Sequence, residues 1–278
     1  MSEAVADKLI TGGMVPIEPT IRIVSLGAGV QSTVMALMGD RGEFGPKPDC
    51  AIFADTQWEP AHVYEHLAWL ESELSYPVYR VTAGNLREDA LNRINPDGKK
   101  LMAMPLFTEQ GIAMRMCTGD YKIRPIRKKT RELLGLKPKE RAKDIFAETW
   151  IGISRDEIQR MKDSNLKYII NRWPLLEKKM ERRHCLEWFA NEYPNRKLGR
   201  SSCMGCPFNN DKAWREMKIN DPISFADAVD FDEKIRNVCD MPMFLHKSLL
   251  PLGEVDFRNL EDMGQLSFLD ECDGMCGV

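Results

Sequence analysis

The densest apolar run near the start of the chain, Ile21-Arg-Ile-Val-Ser25, predicts a short buried strand, and Ser32 to Gly39 predicts a helix closed by Gly39 as its cap. A turn from Gly42 to Pro48 leads into Cys50-Ala-Ile-Phe-Ala54, a second strand. Val63, Leu67 and Leu70 then recur at helical spacing. Tyr76 to Thr82 supplies a third strand, and Thr149-Trp-Ile-Gly-Ile-Ser154 a later one, followed by a charged turn and a helix around Ile158. Asparagine, proline and glycine become frequent between residues 191 and 210, and the chain beyond reads as helical and loop-rich.

This alternation predicts an α/β fold: a parallel sheet with helices on both faces, right-handed crossovers, and ligands beyond the carboxyl ends of the strands. Residues 1–19, which end in Pro16 and Pro19, read as an N-terminal arm; 20–175 as the α/β domain; and 176–278 as a helical, cysteine-containing region with a mobile tail. The segment between the first strand and helix, and Asp55 after the second strand, both fall at strand ends where a ligand is expected.

Composition narrows the class. Of 278 residues, 43% are hydrophobic and 29% charged, which suits a globular chain and excludes a mainly disordered one. No apolar run approaches the roughly 18 residues of a membrane span, and Met1-Ser-Glu-Ala-Val-Ala-Asp lacks signal-peptide features, so the expectation is a cytoplasmic protein without a membrane partner. A net charge of −3 excludes coating of nucleic acid by a broadly basic surface. Lys122 to Lys143 is nevertheless dense in Lys and Arg, which fits either a solvated helix face or a local surface for nucleic acid or a small phosphorylated substrate.

The candidate chemistry begins with Ser25-Leu-Gly27-Ala28-Gly29-Val30-Gln31-Ser32. Small residues ahead of a helix N-terminus allow main-chain N–H groups to reach a phosphate, and the two serines add hydroxyls. The segment lacks the Gly-Lys-Ser/Thr of a Walker loop and the spacing of the dinucleotide fingerprint. On residue types alone, a tight turn without a ligand stands beside the phosphate-cradling reading.

The segment resembles the PP-loop of the adenine-nucleotide alpha-hydrolase superfamily, Ser-Gly-Gly-Lys-Asp-Ser, with Gly27 in place of the serine, Ala28 of the first glycine and Gln31 of the aspartate, while Gly29 and Ser32 match. Further segments resemble the phosphoadenosine-phosphosulfate reductase-like branch, phage and bacterial type. Phe53-Ala-Asp55-Thr56-Gln-Trp-Glu59-Pro is similar to its Asp-Thr-Gly-x-Glu segment, and Cys117-Thr-Gly-Asp-Tyr-Lys122-Ile-Arg-Pro125 to its cysteine-lysine-proline segment. Ile151-Gly-Ile-Ser-Arg155-Asp-Glu157 with Arg160 is similar to its glycine-arginine loop, and Cys203-Met-Gly-Cys206-Pro-Phe completes the series.

The resemblance implies an enzyme that binds ATP or another adenine nucleotide at Ser25–Ser32 with Asp55 and Thr56. It implies Mg²⁺ near Asp55, and Lys122 and Arg160 against phosphate or sulfate oxygens. Arg155 and Arg160 are equally placed to pair with Asp156 or Glu157. The implied reaction is ATP-dependent adenylylation coupled to sulfur transfer, with reduction of a sulfonucleotide to sulfite as the alternative; a different class is a non-catalytic nucleotide- or nucleic-acid-binding protein with a structural zinc. An external thiol reductant or sulfur donor is the expected partner.

With no export signal, eight cysteines point to metal or thiol chemistry rather than a disulfide framework. Cys203 and Cys206 have the spacing at which one turn aims two thiolates at a metal, and Cys117 and Cys185 are candidates for the remaining ligands. The resemblance favours a [4Fe-4S] cluster over zinc, and Cys117-Thr is similar to the sulfur-transfer ATPases of DNA phosphorothioation. In the tail, Glu271-Cys272 resembles a mobile nucleophile segment, which makes Cys272 a catalytic candidate; Cys272 and Cys276 are also alternative metal ligands. Cys50 and Cys239 read as packing residues, and His62 and His66 as a solvated helix face. Neither His184 nor His246 has a spacing that compels a role.

Overall fold

The computed structural model describes residues 18–92, 94, 103–239 and 241–258. In chain order the strands are β1 (Ile21–Leu26), β2 (Cys50–Asp55), β3 (Val78–Thr82), β4 (Phe107–Thr108), β5 (Gly111–Ile112), β6 (Ala147–Ile151) and β7 (Ile169–Arg172). The α-helices are α1 (Val30–Asp40), α2 (Ala61–Glu73), α3 (Leu86–Asn92), α4 (Arg124–Leu133), α5 (Pro174–Glu177), α6 (Arg182–Glu192), α7 (Asp211–Asn220) and α8 (Pro222–Ile235). The expected α/β architecture is present. A five-stranded sheet has the order β3-β2-β1-β6-β7, and β4 and β5 form a separate pair.

Strand β1 lies at the centre and pairs in parallel with β2 and with β6, so that Val24 stands opposite both Ala51 and Trp150; β6 pairs in parallel with β7. Such a strand is covered on both faces and therefore reads as a continuous apolar run rather than an alternating one. Ile23 and Val24 are accordingly both fully buried. Ile23, Ile52 and Ala147 pack with Leu134, and Ile126 of α4 joins them. Trp150 lies against α1, where a methyl on Gly39 would fall 2.7 Å from its ring.

That contact corrects the expected role of Gly39. The glycine sits inside α1 because Trp150 leaves no room for a side chain, and the C-cap falls two residues later, at Arg41, followed by Gly42. Gly42 has φ +75°, its N–H reaches the Gly39 carbonyl at 3.0 Å, and the Glu43 N–H reaches the Met38 carbonyl at 3.0 Å. These two bonds are a Schellman ending, which satisfies carbonyls the helix leaves open. The strand expected at 149–154 runs from Ala147 to Ile151, and the helix expected around Ile158 is a 3₁₀ segment, Arg155–Arg160, broken at Glu157.

The described residues fall into two compact units that interleave in sequence rather than dividing near residue 175. The first takes 18–53, 65–81 and 126–201, and so includes α6; the second takes residues of 54–64, 82–125 and 202–258. The second unit has its own apolar core, in which Trp58, Leu86, Met104, Tyr121, Trp214 and Phe231 meet. Among the described residues no helix is long and apolar enough to cross a membrane.

Replacing glycine by alanine inside a helix ordinarily gains about 1 kcal/mol. Gly39→Ala is expected to reverse that sign, with a net loss of about 1–3 kcal/mol from overpacking against Trp150. Urea unfolding measures it, and a higher midpoint for the variant would contradict the packing described.

Candidate functional site

In the first unit, the segment between β1 and α1 forms the loop expected from the sequence. Ser25 is still part of β1, opposite Ile52 and Ile151, and the loop proper spans Gly27 to Gly29. Ala28 has φ +54°, a left-handed conformation disfavoured for a residue with a Cβ. Its side chain and that of Val30 are buried, so both serve the loop through their backbone. The N–H groups of Gly27 and Gly29 converge on one oxygen, Ser32 Oγ, at 3.2 and 3.3 Å. Both bonds are long for N–H···O, and a charged phosphate oxygen is a stronger acceptor for the same donors.

The position of the loop follows from the strand order. The chain leaves β1 towards β2 and β3 on one side and returns to β6 and β7 on the other, so the topological switch point lies between β1 and β6. The loop after β1 and the segment after β6 meet there. A Cβ on Gly152 would lie 2.9 Å from the Ser32 nitrogen and 3.0 Å from its Cα, a spacing only glycine permits. Beside this contact Gln31, almost fully buried, accepts from Arg182 Nη1 at 3.0 Å and donates to Glu157 Oε2 at 3.2 Å and Ser154 Oγ at 3.4 Å. Arg160 pairs with Glu157 at 2.7 Å, the local pairing that the sequence left open.

The second unit holds the remaining polar candidates. Asp55 Oδ1 accepts from the Gln57 N–H at 2.7 Å and the Tyr64 hydroxyl at 2.8 Å, so one oxygen of this carboxylate holds its own turn; burial and that bond push the Tyr64 phenol up. Gln57, where the resembled pattern has glycine, keeps a glycine-like φ of +56°. Thr56, fully buried, donates to Glu59 Oε1 at 3.1 Å, and Cys203 Sγ lies 3.3 Å from Thr56 Oγ1 and 3.4 Å from the same Glu59 oxygen. Lys122 Nζ stands 3.9 Å from Glu59 Oε1. Lys122 belongs to a π-type turn, Thr118–Ile123, closed by the Arg124 N–H on the Gly119 carbonyl; such turns recur at functional sites.

The Cys203–Cys206 turn is fixed by sterics. Met204 N–H donates to the Trp58 carbonyl at 3.0 Å, and Cys206 N–H to the Cys203 carbonyl at 3.1 Å. Gly205 lies flat on the Trp58 indole, where a Cβ would fall 2.1 Å from Cη2. Buried Glu59 is the residue that sequence reasoning did not select, although it stands in the quoted motif; its Oε2 is buried with no hydrogen-bond partner among the described residues. Cys203 is thus a thiol facing a carboxylate, an arrangement able to move a proton between sulfur and oxygen.

The cysteines expected to share a metal divide between the units. Cys117, Cys203 and Cys206 belong to the second, where Cys117 packs on the apolar cluster that contains Cys203. Cys185 belongs to the first, fully buried in α6. Among the described residues no three His, Cys, Asp or Glu side chains form a group able to hold a metal, so the described donors do not assemble the four-thiolate set. Cys272 and Cys276 lie outside the described residues. His66 departs from the solvated face expected of it: it is buried and meets Thr33 Oγ1 at 3.0 Å, whereas His62 is exposed.

The first unit is therefore an α/β sheet with a glycine loop at its switch point. No family model and no curated protein matches the chain. Among solved structures it is similar to a phosphoadenylyl-sulfate (PAPS) reductase from Candida auris, determined as a phosphate complex, with 12% identity over 71% of this chain and 87% of that chain and a TM-score of 0.41. It is also similar to the U34-tRNA thiolase NcsA from Methanococcus maripaludis, determined with its [4Fe-4S] cluster, with 13% identity over 88% of this chain and 83% of that chain and a TM-score of 0.40.

Burial pushes the thiols of Cys50 and Cys185 up to about 12. The thiolate is the reactive form, and at pH 8 only roughly one in ten thousand of such thiols is ionised. Both are expected to stay unmodified by an aromatic disulfide reagent at pH 8 until the protein unfolds, as peptide mapping after timed quenching would show. Labelling of Cys185 in the folded chain would contradict its placement.

Proposed function

We propose that this chain is an adenine-nucleotide enzyme of the PP-loop, sulfur-handling class, in which Gly27–Ser32 holds the phosphates. The observation that supports it is the convergence of the Gly27 and Gly29 N–H groups on one oxygen at the switch point of a parallel sheet. ATP-dependent adenylylation uses such a loop directly. An acceptor oxygen bonds to the α-phosphorus, the α–β phosphoanhydride bond breaks, and pyrophosphate leaves. Hydrosulfide, supplied by an external donor, then attacks the adenylylated atom of the acceptor: the new bond to sulfur forms as the bond to the AMP oxygen breaks, and AMP leaves with the electron pair.

In this reading the first unit orients the nucleotide and offsets its charge, while Cys203, with Glu59 as proton acceptor and Lys122 beside it, handles sulfur. Among the described residues no three donors group to hold a metal.

Titration calorimetry with ATP tests the reading. The wild-type chain is expected to bind ATP, and Gly152→Ala, which displaces Ser32, to bind it at least tenfold more weakly, a loss of about 1.4 kcal/mol. Supplied with ATP, Mg²⁺ and pooled RNA or small-metabolite acceptors, the protein is expected to release pyrophosphate. Sulfite released from phosphoadenosine phosphosulfate with a dithiol would move the assignment to reduction, and absence of ATP binding would end the nucleotide reading.

A further inference from the structure

The network around Gln31 goes beyond the loop. Its side-chain amide serves a cation at one end, Arg182 at 3.0 Å, and an anion at the other, Glu157 at 3.2 Å. A neutral amide carries both a donor and an acceptor and can do this; a carboxylate at position 31 would lie against Glu157 with like charge. Glu157 uses its second oxygen on Arg160 at 2.7 Å, and both side chains of that pair are only 16% exposed. Two guanidinium groups and one carboxylate thus gather around the residue at the second position of α1.

Arg182 is the unusual member. It opens α6, where the helix amides already present positive partial charge and a cation is disfavoured. Its N–H donates to Asp156 Oδ1 at 3.1 Å, which seats the start of α6 on the segment after β6. Its guanidinium is aimed instead at Gln31, one residue before Ser32, whose hydroxyl already collects the loop amides.

We infer that Arg182 is a phosphate-binding residue of this site, and that Glu157 is a resident anion which a phosphoryl oxygen displaces from Arg160. The inference rests on the nucleotide reading above and adds to it the residues that select a pyrophosphoryl group, whether carried by a nucleotide or free. A guanidinium offers a planar fork of donors that matches phosphate oxygens and is charged at every working pH. Glu157 holds Arg160 in place without ligand and, by its own charge, opposes a second anion.

The full chain is titrated calorimetrically with ATP, pyrophosphate and adenosine at two salt concentrations. Arg182→Gln is expected to weaken ATP and pyrophosphate roughly 10- to 100-fold, to flatten the salt dependence and to leave adenosine unchanged. Glu157→Gln is expected to tighten both anions about three- to tenfold. Glu157→Gln conserves volume, so it keeps the test decisive if Arg182→Gln lowers the melting temperature. A wild-type chain that binds ATP but not pyrophosphate identifies the nucleotide as the source, with the Arg182→Gln loss still required. Wild-type ATP affinity in both variants overturns this inference and leaves the nucleotide reading standing; a wild-type chain that binds neither anion overturns both.

Discussion

Gly152 has room for a hydrogen and nothing larger. Its Cα faces the main chain of Ser32 so closely that a methyl group would meet the Ser32 nitrogen at 2.9 Å. That contact joins the exits of the two strands that flank the switch point, and it sets the height at which α1 begins. From it follow the inward aim of the Gly27 and Gly29 amides, the burial of Gln31, and the approach of the 155–160 segment that brings Glu157, itself paired with Arg160, against Gln31. A larger residue at 152 would change the distances among polar groups rather than merely loosen a turn.

The second unit is organised by a similar constraint with different partners. Gly205 lets the Cys203–Cys206 turn lie on the Trp58 indole, and Trp58 Nε1 is itself anchored on Asp227 at 2.6 Å. The turn therefore has one seating, in which Cys203 faces Thr56 and Glu59. Both units use glycine to bring main chain against a rigid surface, and both place a polar group where burial would be unfavourable without a partner.

What the chain disclosed in advance was what depends on local sequence. The apolar runs located β1 and β2, and the small residues from Gly27 to Gly29 located the loop, because strand burial and backbone freedom are properties of neighbouring residues. Gly39 misled because its function depends on Trp150, more than a hundred positions away, and His66 because its partner Thr33 is on another helix. The Glu59–Cys203–Lys122 grouping draws on three separate segments, and no periodicity links them. Arg182 left one local signal, a cation at a helix start, whose meaning appears only with Gln31 beside it. Ala28 and Gln57 show the converse: the motifs that the sequence resembles have glycine at both positions, and the backbone here has positive φ at both although each carries a side chain.

The central claim is that the main chain of Gly27–Ser32 receives phosphate. Amide ¹H–¹⁵N shifts followed during ATP titration test it at the atoms concerned. The expected result is that Gly27, Gly29 and Ser32 move most, with Gly152 moving through its contact with Ser32. Shifts that leave these amides unchanged while ATP binds elsewhere would contradict it.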